Sequence, residues 1–86
     1  MEPDAWFALL RETLAEQEVD VPEPAPGEID TLLDLARIAA HTSERWTAPI
    51  SGFLVGAALA GRDAARRADG LRALLGALEA DDRTRD

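Results

Sequence analysis

The chain has no cysteine, no lysine and no tyrosine, and a single histidine among its 86 residues. Without cysteine it can build neither a disulfide framework nor a thiolate zinc site, and without lysine it has no Schiff-base nucleophile. Its nine bases are all arginine and stand against 17 acids, a net charge of −8, which excludes the clustered positive surface that nucleic acid requires. Long hydrophobic runs are missing as well. The longest near-apolar stretch, Ala48 to Gly61, would span about 21 Å as a helix, short of the roughly 30 Å hydrocarbon layer. It predicts a buried core helix, with no membrane association. The opening Met1-Glu2-Pro3-Asp4 is acidic where an export signal is basic, so the expected location is the cytoplasm. Residues 1–86 are expected to form one helical domain, at a size where roughly 60–65% surface burial leaves folding marginal and favours a partner or a dimer.

What is present is helical periodicity. Trp6, Phe7, Leu10 and Leu14 lie on one stripe, with Arg11, Glu12 and Glu16 between them, which predicts an amphipathic helix over about 4–17. Pro22, Pro24 and Pro26 then forbid helix and predict an extended connector, tacked to the core by Val19 and Val21. A second helix, about 28–43, carries Ile29, Leu32, Leu33, Ala36, Ala39 and Ala40 on its apolar side. Thr47 as cap and Pro49 in the first turn begin a third helix, about 48–61. Its apolar residues surround most of the circumference, so it is expected at the centre. Gly52, Gly56 and Ala60 form a smooth strip on that helix, suited to close packing inside the domain or to association. A fourth helix, about 63–80, buries Ala64, Ala68, Leu71, Leu74, Leu75 and Leu78, and the tail 81–86 is expected to fray. The fold class is all-α, a compact four-helix domain with a Pro-rich connector between helices one and two.

Charge is distributed unevenly: residues 1–34 hold ten acids and one Arg, residues 35–86 seven acids and eight Arg. The acidic end serves either as a solvated face or as a steering surface for a basic partner.

Catalytic equipment is sparse. Asp34, Arg37 and His41 share one side of the second helix, where they could grip a phosphate or carboxylate, or simply form a solvated i,i+3 and i,i+4 row. One histidine and one carboxylate two turns apart do not make a zinc site. Ser43 and Ser51 near His41 lack the spacing and scaffold of a triad, so no enzyme activity and no cofactor are expected. The segment Gly52-Phe53-Leu54-Val55-Gly56 lacks the preceding strand that a phosphate-cradling turn needs. Trp46, flanked by Arg45, is either a lid on the core or an exposed anchor for a partner.

The block Leu32-Leu33-Asp34-Leu35-Ala36-Arg37, Ala40-His41, Glu44-Arg45, Ala48-Pro49-Ile50-Ser51, Phe53-Leu54-Val55-Gly56 resembles a small actinobacterial helical domain family of unassigned function. Members of that family occur alone or fused to molybdenum-cofactor (molybdopterin) guanylyltransferases. The resemblance covers roughly residues 28–61 and singles out Asp34, Arg37, His41, Arg45 and Pro49; Trp46 and Ser51-Gly52 depart from the pattern. It implies a non-catalytic accessory or interaction domain linked to molybdopterin-guanine dinucleotide synthesis, with a guanylyltransferase as protein partner. The candidate surface is Asp34, Arg37, His41, Arg45 and Trp46. Two alternatives stay open: a phosphate- or pterin-binding module at the junction of helices two and three, and a structural homodimer.

Overall fold

A computed structural model describes residues 1–84, with side chains to Asp81. It is all-α: α1 Pro3–Glu16, α2 Glu28–Thr42, α3 Thr47–Leu59 and α4 Ala64–Thr84. Pro3 occupies the first turn of α1, where its missing amide hydrogen removes no helical bond. At the other end of α1, the Val19 amide donates back to the Leu14 carbonyl at 2.9 Å and the Glu18 amide to Ala15 at 3.0 Å. This closure places Glu18 at φ +62°, a left-handed conformation that usually falls to glycine. The proline segment follows without regular structure.

The expected tack points of that segment are not where the sequence suggested. Val19 and Val21 are exposed, and polar bonds hold the connector instead. The Ala25 amide donates to the Glu28 carboxylate at 2.8 Å, and the Glu23 carbonyl accepts from Arg67 at 3.2 Å. Proline-rich backbone leaves its carbonyls unpaired locally, so partners from other elements can bind them.

The central helix is α2, and the expectation that α3 holds that place is corrected. Both α3 and α4 pack against α2. The half-buried side of α3, Thr47, Ala48, Ser51, Gly52, Val55 and Leu59, turns inward, while Ile50, Phe53 and Leu54 remain exposed. A helix apolar all round has no preferred face, and a chain this short supplies cover for only one of them. The buried apolar side chains among the described residues are Leu35 of α2 and Leu71 and Leu75 of α4. Leu74 and Leu78 are half-buried beside them.

The small-residue strip likewise lacks a neighbour. A Cβ built on Gly52 or Gly56 would meet nothing within 4 Å. Close approach occurs at Gly70 of α4, where an added Cβ would sit 3.0 Å from Leu59 Cδ2. Gly61, at φ +87°, ends α3, and Asp63 caps α4 by accepting from the Arg66 amide at 2.9 Å. The tail expected to fray from 81 continues as helix to Thr84, since extending a docked helix adds a backbone bond for each residue ordered. The last two tail positions, 85 and 86, lie outside the described residues. The molecule measures 48 × 27 × 19 Å, and among the described residues no helix is long and apolar enough to cross a membrane.

Candidate functional site

The five residues singled out from the sequence lie at the α2–α3 corner and along the outer side of α2. Asp34 and Arg37 form an exposed ion pair at 2.9 Å, one turn apart. His41 is exposed one turn further on, and Arg45 is exposed in the corner itself. Among the described residues, the side chains of His41 and Arg45 have no hydrogen-bond or ion-pair partner. The row therefore divides into a self-satisfied pair and two free polar groups.

Trp46 is 66% exposed, so it does not act as a lid. Its indole N–H donates to the carboxylate of Glu44 two residues earlier, which fixes the ring outside the core. The backbone beneath it is held by Thr47. The Thr47 hydroxyl donates to the carbonyls of Glu44 at 2.7 Å and Ala39 at 3.3 Å, tying α3 to the end of α2. Thr47 was expected as the cap of α3, but it is the first residue of the helix and Trp46 stands at the cap position. The Thr47 hydroxyl is thus spent on carbonyls that precede α3, Glu44 in the corner and Ala39 in the last turn of α2, and not on the first amides of α3.

From Trp46 the exposed apolar surface continues along α3. Ile50, Phe53, Leu54 and Ala57 follow at helical spacing on the side opposite the inward residues, and Phe53 is 70% exposed. No charged residue lies between Thr47 and Gly61. An aromatic and aliphatic strip is thereby left exposed along one helix face.

A separate cleft of about 240 Å³ lies inside the α2–α3 junction, lined by Ile38, Thr42, Thr47, Ser51 and Leu78 among others. None of Asp34, Arg37, His41, Arg45 and Trp46 lines it. A second cleft, about 320 Å³ and apolar, runs between α1, the connector and α2, bordered by Phe7, Leu10, Val21, Pro24, Ile29 and Leu33. Among the described residues, no three His, Asp or Glu side chains converge as a metal ion would require.

The polar interaction that organises the fold was not singled out from the sequence. Glu28, 7% exposed, meets Arg67 of α4 through two hydrogen bonds, Nε to Oε2 at 2.9 Å and Nη2 to Oε1 at 3.0 Å. Bonds from Arg67 and from the Ala25 amide hold the Glu28 carboxyl below its ordinary value of 4.5, against the opposing effect of burial. The same contact raises Arg67. The pair lines a cleft of about 750 Å³ with Pro22, Leu32, Leu59 and Arg62. A signal existed: Glu28 falls on the stripe of Leu32 and Leu35, and Arg67 on that of Leu71 and Leu75. A charge on an apolar stripe calls for a buried opposite charge.

Comparison with known protein families places the chain. Residues 1–84 fit the sequence model of a family described as a domain of unknown function (DUF6457), and the chain belongs to that family. The match extends beyond residues 28–61 to include α1 and α4. No curated protein matches the chain, and no solved structure does.

Proposed function

We propose that this member of a domain family of unknown function is a non-catalytic interaction domain that docks on a second protein through the α2–α3 corner. The observation that carries the reading is Trp46, fixed outside the core by Glu44 and flanked by an unpaired Arg45 and the exposed His41. Trp and Arg are the residue types that dominate interface energetics, and a ring already held in place loses little freedom on binding. The partner we propose is a molybdenum-cofactor guanylyltransferase, which places the domain beside molybdopterin-guanine dinucleotide synthesis in an actinobacterial cytoplasm. The resemblance of residues 28–61 supports that choice.

The test is the molar mass by light scattering of the protein alone and mixed with a guanylyltransferase from the same organism. A heavier complex is expected, lost in Trp46→Ala and weakened in Arg45→Ala. In cells, Trp46→Ala should lower the activity of enzymes that need the dinucleotide cofactor. No gain of mass in the mixture would overturn the reading. The ligand-binding alternative is separated by a melting-temperature screen against phosphate, nucleotides and pterin phosphates, where this reading expects no shift.

A further inference from the structure

We infer that the outer face of α3 is a two-fold interface between two copies of this chain, with the helices antiparallel and crossing near Phe53 and Leu54. Three observations converge on a second copy as the occupant. First, the accessible surface is 6704 Å², whereas a folded monomer of 9.3 kDa exposes about 5,000 Å². The excess, roughly 1,700 Å², exceeds the roughly 800 Å² that each partner buries in a standard interface. Ile50, Phe53 and Leu54 together expose on the order of 400 Å², the size at which the largest apolar patch of a protein is often functional.

Second, the face is complementary to itself. Its N-terminal half carries Ile50 and Phe53, and its C-terminal half carries Leu54 and the small Ala57. An antiparallel crossing centred between Phe53 and Leu54 sets Ile50 of one copy over Ala57 of the other and Phe53 over Leu54. Ile50 then fills the space above the small Ala57 on each side of a Phe53–Leu54 centre, which suits interdigitated packing. A parallel pairing would stack Phe53 on Phe53 and leave the small residues facing each other.

Third, the charges permit it. Two copies with a net charge of −8 each repel wherever their acidic surfaces meet, but the face is uncharged from Thr47 to Gly61. Charges begin only beyond its ends, at Glu44 and Arg45 on one side and Arg62 and Asp63 on the other, and each end sums to zero. The ten acids of residues 1–34 lie outside this face. Trp46 stands one turn beyond Ile50, at the rim of the face.

The test uses the intact chain. Sedimentation or light scattering should give about twice 9.3 kDa, and Phe53→Ser should give a monomer that keeps its helical circular dichroism. Because the chain has no cysteine, crosslinking reads the geometry directly. Leu54→Cys, next to the two-fold axis, should form a covalent dimer on mild oxidation, and Ile50→Cys alone should not. A mixture of Ile50→Cys and Ala57→Cys should crosslink. A monomer at millimolar concentration, a dimer that survives Phe53→Ser, or efficient self-crosslinking through Ile50→Cys would each overturn the inference. So would a monomer that gains mass only with the guanylyltransferase and loses that gain in Phe53→Ser, which would assign the face to that protein. Trp46 lies at the rim and not at the crossing, so Trp46→Ala should keep the dimer mass while removing the partner, and the two proposals fail separately.

Discussion

Glu28 and Arg67, 39 positions apart in the chain, are joined by a two-pronged ion pair that ties the first turn of α2 to the first turns of α4. Arg67 also reaches the Glu23 carbonyl at 3.2 Å and the Arg62 carbonyl at 3.3 Å. One side chain thereby links the proline connector, the α3–α4 turn and α2. With only Leu35, Leu71 and Leu75 buried among the described apolar residues, the fold depends on this pair more than a larger domain would.

Removing the Glu28 charge leaves the half-buried Arg67 guanidinium without its counter-charge. Glu28→Gln is therefore expected to lower Tm by on the order of 10 °C, whereas Asp34→Asn, which breaks an exposed pair, should move it by no more than about 2 °C. The pH dependence follows from the sign of the shift. The Glu28 carboxyl titrates below 4.5 in the folded protein, so its stabilisation is fully present above the unfolded value and is lost as pH falls through the folded one. Thermal melts should show a Tm contribution that is flat from pH 7 to about 5 and declines below 4.5. In Glu28→Gln that decline should be shallower.

Glu18 adopts φ +62° at the end of α1, a conformation that costs a residue with a side chain and costs glycine nothing. Glu18→Gly should raise Tm by about 3–6 °C, and Glu18→Val should lower it. Calorimetry on the three proteins checks the order.

Gly70 and Gly76 both lie inside α4 but differ in surroundings. At Gly76 an added Cβ meets nothing, so Gly76→Ala should gain the full helix-propensity difference, about 1 kcal/mol. At Gly70 the Cβ would press on Leu59 Cδ2 at 3.0 Å, so Gly70→Ala should gain distinctly less, and Gly70→Leu should be destabilising. Urea unfolding of the variants measures the differences.

The sequence by itself determined the elements. Periodic apolar spacing, Pro22 to Pro26, Gly61 and Asp63 placed all four helices, with most boundaries within about two residues, because local backbone preference and amphipathic period act over a few turns. It also singled out Trp46 and its neighbours as residues of interest, without settling whether the ring faced inward or outward. Which helix stands at the centre was decided only in three dimensions. The circumference of α3 is apolar throughout and names no partner, so its place depended on how much surface α2 and α4 had left to offer. The ion pair of Glu28 with Arg67 is of the same kind. Each charge sits on an apolar stripe of its own helix, and only the packing of α2 against α4 brings them within 3 Å, where burial and hydrogen bonding make them one unit.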